Sequence, residues 1–160
     1  MRRHPRSAEN GAVIRLVEIA QDGSPSEPGL PLERAALQAL AATAALYGRA
    51  GFEPPWIGYL AVEAGRCVGT CAFKGAPRGG RVEIAYFTFP EHEGRRLATS
   101  MAAALVDIAG AAAPGVMVIA QTLQEEGAST RVLSRLGFQR AGSADDPQAG
   151  RVWEWHLAPR

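Results

Sequence analysis

Apolar side chains recur along this chain in two rhythms, period two and period near 3.6, and the switches between them predict ten elements. Ala12 to Ile19, with Val13, Leu16 and Val17 among polar neighbours, predicts a first strand, and Gln21 to Gly29 a turn-rich connection. Pro31 fits the first turn of a helix running through LERAALQALAATAALYG, with Leu32, Ala36, Leu40 and Ala44 at helical spacing. Gly48 and Gly51 end it, and FEPPW is an extended connector because proline restricts the residue before it. Three strands follow at short separations, Trp56–Val62, Cys67–Phe73 and Val82–Phe89. After Pro90 the longer period returns, with Leu97, Met101, Leu105 and Ile108 on one face of a helix near Arg95–Ala109. Val116–Gln121 is almost continuously apolar, as a buried parallel or central strand would be. A helix over Glu126–Leu136 is stopped by Gly137. Two last strands, near Phe138–Ala141 and Arg151–Leu157, are joined by the turn-rich SADDPQAG.

The order β-α-β-β-β-α-β-α-β-β contains no repeat and no linker. It predicts one α+β domain over residues 1–160, a mixed central sheet of about seven strands flanked by helices, with 1–11 a flexible basic start. A chain of 160 residues supports its own core, and 47% hydrophobic residues exceed what disorder tolerates. No run approaches the roughly 20 apolar residues of a membrane helix. MRRHPR is followed by polar SAENG rather than an apolar stretch, so no secretory signal and a cytoplasmic setting are expected.

Seventeen basic residues against 16 acidic leave a net charge of +1, which excludes the broad basic surface of a nucleic-acid binder. The basic set is 16 arginines and one lysine, Lys74. Cys67 and Cys71 lie four apart in one strand, so their Cα atoms would be about 13 Å apart, too far to bridge. They lack partner Cys/His pairs, no metal site is expected, and both thiols are read as reduced and buried.

The stretch richest in chemistry is VEIAYFTFPEHEGRRLATSMAAALVDIA. A strand ends at Pro90, a loop carries Gly94, Arg95 and Arg96, and a helix starts at once. The first amides of a helix lack internal partners and sit at the positive end of its dipole, a ready seat for phosphate. Two forked guanidinium groups suit phosphate oxygens, although a solvated turn accounts for the same residues. The G-x-x-x-x-G-K-[ST] phosphate loop is absent, as is the dinucleotide fingerprint.

This stretch resembles the acyl-coenzyme A loop of the GNAT superfamily of N-acetyltransferases, whose motif is Q/R-x-x-G-x-G/A. Aligned on Pro90 it falls on Glu93, Gly94, Arg95, Arg96, Leu97 and Ala98, with Glu93 replacing Gln or Arg and Arg96 replacing glycine. EIAY before the loop, ASTRVLSRLGF after it, PPW…VGTCAFKGAP and the closing G-x-V-W-x-W resemble the branch of ribosomal-protein N-terminal acetyltransferases, over roughly Pro54 to Leu157.

The resemblance implies two parallel strands, Val82–Phe89 and Val116–Gln121, splayed around a bulge to admit pantetheine. The backbone of Phe87, Thr88 and Phe89 would pair with it, and the amides of Gly94 to Ala98 would hold the pyrophosphate. Arg96, in the glycine position, would either crowd the pyrophosphate or, on a helical backbone that tolerates it, grip a phosphate itself. The implied reaction moves acetyl from acetyl-coenzyme A directly to an amine, which requires removal of a proton, donors for an oxyanion and help for the departing thiolate. Glu83, on one sheet face with Ala85 and Phe87, is the candidate base; the alternative is a surface carboxylate paired with Arg81 or Arg151. The helix tyrosine that many members use as acid is Leu133 here. Ser129, one turn into that helix, fits the place from which a serine approaches the sulfur, or else satisfies first-turn amides. Glu126 stands where the branch has Asn.

His92 reads as an exposed loop residue outside the chemistry, His156 as a packing residue, and Trp56, Trp153 and Trp155 as core or cleft walls. Glu154, opposite to both neighbouring tryptophans, would bind a cationic amine if its face lines the acceptor cleft. The acceptor, a small-molecule or peptide amine, is left open, as is a homodimer. Competing readings are a non-catalytic acyl-coenzyme A binding module and a phosphate-site protein using another nucleotide.

Overall fold

A computed structural model describes residues 13–159, and the expected basic start lies outside the described residues. In chain order the elements are β1 (Arg15–Glu18), α1 (Arg34–Ala50), β2 (Gly58–Glu63), β3 (Arg66–Phe73), β4 (Arg81–Thr88), a 3-10 turn (Pro90–His92), α2 (Leu97–Ala112), β5 (Met117–Leu123), α3 (Ala128–Arg135), β6 (Gln139–Asp146) and β7 (Gly150–Leu157). The seven strands form one mixed sheet in the order β1-β2-β3-β4-β5-β7-β6. The pairing of β4 with β5 is parallel and every other pairing is antiparallel. The single α+β domain with a mixed sheet of seven strands, expected from the order of elements, is therefore the observed architecture.

Several boundaries differ from the sequence reading by a few residues, and three of the differences have a local reason. The first helix starts at Arg34, three residues after Pro31, with Glu33 as an N-cap that makes no side-chain bond. It runs through Gly48 and ends only where Gly51 takes φ +86, its amide donating to the Tyr47 carbonyl. The segment Ser143–Asp146, read as turn from its composition, is strand, because β7 pairs with β6 from Gln139 to Asp146. The turn itself is held by Asp146 Oδ1, which accepts the amides of Gln148 and Ala149 at 2.8 Å.

Two close approaches show which helix covers which face. A Cβ on Gly58 would lie 2.6 Å from Thr43 Cγ2 of α1, and one on Gly69 would lie 2.9 Å from Met101 Cε of α2. Gly58 pairs with Ala72, and side chains alternate along β3, so Thr70, Ala72 and their cross-strand partners Phe87 and Ala85 face α1. Cys71, Phe73 and their partners Tyr86 and Ile84 face α2. Leu97, Met101, Ala102, Leu105 and Ala109 bury that helix against the sheet beside Val68, Phe73, Val82 and Ile84. No helix among the described residues is long and apolar enough to cross a membrane.

On the other face Tyr47 pins α1. Its buried hydroxyl donates to the Ile19 carbonyl at 2.8 Å and accepts the Gly58 amide at 2.8 Å, joining helix, β1 end and β2 start. Tyr47→Phe strands both backbone groups, and equilibrium denaturation should show a loss of about 1–3 kcal/mol.

Candidate functional site

The two parallel strands share three residue pairs, Arg81 with Met117, Val82 with Val118 and Glu83 with Ile119. Beyond these, β4 runs on to Thr88 and β5 to Leu123 without further pairing, so a fork opens in the middle of the sheet. The register of β3 on β4 is continuous from Gly69–Thr88 to Phe73–Ile84. The irregularities lie at Ala61/Val62 and Arg140/Gly142, so the expected bulge at the fork is not there; β4 simply keeps one neighbour and leaves the other.

Strand parity then decides which backbone groups the fork exposes. The Phe89 amide donates to the Val68 carbonyl at 2.9 Å, and the Glu83 carbonyl accepts the Lys74 amide at 2.9 Å. Residues 83, 85, 87 and 89 therefore turn their backbone toward β3, while Ile84, Tyr86 and Thr88 turn theirs toward the gap. Of the three residues expected to pair with pantetheine, Thr88 turns its backbone to the gap, while Phe87 and Phe89 turn theirs to β3.

Past the fork the chain makes the 3-10 turn and enters α2. Gly94 has φ +79, and Arg96, the N-cap of α2, has φ 59 and ψ 21. This corrects the expectation of a helical backbone at Arg96. The position is left-handed, the conformation for which glycine is favoured and a Cβ costs roughly 1–2 kcal/mol. No side chain caps α2, and among the described residues no carbonyl takes the amides of residues 94–99. They open on a groove of about 630 Å³ lined by Tyr86, Phe87, Thr88, Glu93, Gly94, Arg96, Leu97, Ala98, Ser129, Arg131 and Arg135, among others.

The charged residues divide differently from the expectation. Arg96 lines the groove, but the Arg95 guanidinium pairs with Glu63 at the end of β2, outside it. Glu126 is also outside, exposed, accepting the Thr130 hydroxyl at 3.1 Å and standing 4.0 Å from Arg140. Two arginines that the sequence reading passed over, Arg131 and Arg135, complete a cationic rim from α3. Their i, i+4 spacing puts them on one helix face, a signal present in ASTRVLSRLGF. Tyr86 was also missed. Its phenol is largely buried, burial pushes it up to about 12, and the hydrogen-bonding side chain of Ser129 works against that rise.

The opposite face carries Glu83. Its Oε2 is shut from solvent and lies 2.7 Å from Lys74 Nζ, an ion pair without hydrogen-bond alignment. Its partner is thus Lys74, not Arg81 or Arg151. Arg81 reaches Glu154 at 2.8 Å, and Arg151 reaches Asp145 at 3.3 Å. His156 Nε2 stands 2.7 Å from the same Glu154 oxygen, and this contact, followed by the charge on Arg81, holds the Glu154 carboxyl below its usual range. Glu154 is therefore already paired on that face. Two adjoining hollows, of about 730 and 650 Å³, share Ala39, Ala42, Thr70 and Phe87; the smaller reaches Lys74 and Asp146–Gln148.

His92 is buried in the 3-10 turn, 8% exposed, which corrects its reading as an exposed loop residue. Trp155 is core, donating Nε1–H to Thr122 Oγ1 at 3.0 Å, Trp56 packs edge-on to Phe73, and Trp153 carries the Arg140 guanidinium at 4.1 Å. Cys71 is buried and Cys67 half-buried, both free, with burial raising both thiols.

The acetyltransferase (GNAT) domain family matches residues 6–139. No curated protein matches the chain. Among solved structures, ribosomal-protein-S5-alanine acetyltransferase from Vibrio fischeri aligns with a TM-score of 0.62 at 16% identity, covering 91% of this chain and 92% of that one. YncA from Salmonella typhimurium, solved with its cofactor acetyl-CoA, aligns at 0.58 and 17% identity over 91% and 92%. A GNAT-family acetyltransferase from Bacillus anthracis aligns at 0.56 and 17% identity over 63% of this chain, which spans 65% of that relative's length. At these identities the likeness is one of fold.

Two outcomes follow from the site's geometry. Arg96→Val puts a branched Cβ at φ 59 and should cost about 1–2 kcal/mol in equilibrium denaturation, whereas Arg96→Gly should change stability by less than about 1 kcal/mol, relief of the backbone being offset by a freer unfolded chain. Tyr86 keeps its proton to about 12, where an ordinary tyrosine loses it near 10. The stability from that difference is whole below the unfolded value and is lost as pH rises toward the folded one. Across that alkaline window wild type should lose stability relative to Tyr86→Phe, read by denaturation at a series of pH values.

Proposed function

Because the chain belongs to the GNAT acetyltransferases, whose domain it matches over residues 6–139, we propose that it moves acetyl from acetyl-CoA directly to a primary amine of a small molecule or a protein amino terminus. The observation that carries this reading is the fork, with a run of unpartnered amides and three guanidinium groups along one groove. Coenzyme A is an amide-bearing arm ending in phosphates, and the residues present suit it. The backbone of Tyr86 and Thr88 offers strand-like hydrogen bonds to the arm. The amides of Gly94 to Ala98 suit a pyrophosphate, and Arg96, Arg131 and Arg135 suit its charge.

Acetyl-CoA, when bound, supplies a thioester carbonyl open to attack by an amine. At neutral pH the amine arrives mostly protonated, and Glu83 takes its proton, directly or through water. Lys74 Nζ stands 2.7 Å from the Glu83 carboxylate and holds it in place on this face. A carboxylate already committed to an ion pair is the observation that favours the second reading, a module of the same fold that binds acyl-CoA without turnover. Ser129 donates a hydrogen bond to the sulfur. The hollows beside α1 are the natural entry for the amine, since Ala85 and Phe87 form their floor on the same face as Glu83.

Thiol release from acetyl-CoA, followed with purified protein and a panel of amines, tests the reading. Turnover with at least one amine supports it. Acetylation of none, with coenzyme A still raising the melting temperature, selects the binding module. In an active protein Glu83→Gln should lower kcat by about 10²-fold with little change in coenzyme A affinity, and an unchanged rate removes Glu83 from its role.

A further inference from the structure

One side chain stands where the groove and the hollows meet. Phe87 lines the groove beside α2 and α3, and it also lines both hollows beside α1. It lies on β4 beyond the last β4–β5 pair, on the sheet face that it shares with Glu83 and Ala85. Although β4 is an interior strand, Phe87 is 54% exposed. Phe89 fixes it from the next position on that face, edge-on with ring centroids 6.2 Å apart. Phe89 is itself buried with Ala36 and Ala39 of α1. A large apolar side chain that is held in place and left open to a cavity offers a packing surface to a ligand.

The same hollows disfavour a polycation. Among the described residues their walls carry four cations, Arg34, Arg49, Arg66 and Lys74, against the acids Glu33, Glu91 and Asp146. Asp146 already gives Oδ1 to the amides of Gln148 and Ala149, and Glu83 is paired with Lys74. An acceptor with several ammonium groups finds no run of free carboxylates here. From Glu83 to Phe87 the strand advances about 13 Å, and the residue between them on that face is Ala85, whose small side chain leaves room. An amine lying along this stretch sets its nitrogen toward the carboxylate and its body on the ring.

We propose that Phe87 is the specificity-determining residue of the acceptor hollow, and that the acceptor is a small primary amine with one positive charge and an apolar, ring-sized body that packs on Phe87. This rests on the acetyl-CoA reading above and narrows its acceptor. The ring is the right place for such a choice, because it borders both the space for the amine and the groove for the cofactor.

Thiol release by the full chain with phenethylamine, ring-free ethanolamine, spermidine and a polar peptide with a free amino terminus tests the assignment. The expected kcat/KM is highest for phenethylamine, by about tenfold or more over each of the others. Phe87→Ala should lower the ratio of kcat/KM for phenethylamine to that for ethanolamine about tenfold, mainly through KM, and Phe87→Tyr should keep the ratio. A merely structural loss would lower both amines together. Preference of wild type for any of the other three acceptors, or an unchanged ratio in Phe87→Ala, overturns the assignment. If coenzyme A binds and no amine is acetylated, only the catalytic reading fails, and calorimetric titration of phenethylamine onto the protein with coenzyme A bound decides this one. Binding to wild type and Phe87→Tyr that Phe87→Ala loses supports it; no binding to wild type, or equal binding to Phe87→Ala, overturns it. Failure of wild type to bind coenzyme A overturns both proposals.

Discussion

The centre of this molecule depends on an inequality between the two neighbours of β4. An antiparallel partner, β3, stays bonded along the strand and onward to Phe89, while the parallel partner, β5, stays only to Glu83. A sheet interior normally satisfies every backbone group, and leaving such groups without partners is costly. Here the cost on β4 falls on Tyr86 and Thr88 and on the facing edge of β5 beyond Ile119, because parity directs Ala85, Phe87 and Phe89 to β3. The strand is thus held firmly while one edge of it stays open. Sheet stability and an exposed hydrogen-bonding edge coexist in eight residues.

The charge pattern follows the same division. On the α2 side Arg96, Arg131 and Arg135 line the groove without an ion pair among the described residues, beside one acid, Glu93, while Glu126 turns outward to Thr130 and Arg140. On the α1 side nearly every charge close to the fork has a partner, Glu83 with Lys74 and Arg81 with Glu154 and His156. A groove with unpaired guanidinium groups attracts an anion, whereas a face of closed ion pairs does not. The two faces therefore suit different molecules, although the chain as a whole is near neutral.

Much of the fold was legible because period and punctuation agreed. Leu97, Met101 and Leu105 are fully buried on α2, and the apolar run at Met117–Leu123 is the parallel partner of β4 in the interior of the sheet. The misreadings share a cause. Ser143–Asp146 has turn composition, but an edge strand needs only a bonded neighbour, and β7 supplies one. Gly48 reads as a stop, yet helical hydrogen bonding continues through it until Gly51 takes positive φ. His92 sits in a polar loop and is nonetheless covered once the 3-10 turn folds over it.

By itself the sequence determined the order of elements, the strand-to-helix junction at Gly94–Leu97 and the faces of Glu83, Ala85 and Phe87, since these depend on neighbours within a few residues. Partnership required the tertiary structure. It took Arg95 to Glu63, gave Lys74 to Glu83, brought Arg131 and Arg135 to the groove beside Arg96, and placed Tyr86 and Ser129 along that same groove. The physical reason is that local periodicity encodes which way a side chain points, while its partner is chosen by how strands and helices far apart in the chain are brought together. Tyr86 and Ser129 are 43 positions apart in the sequence, and only the packing of α3 beside the fork brings them to one groove.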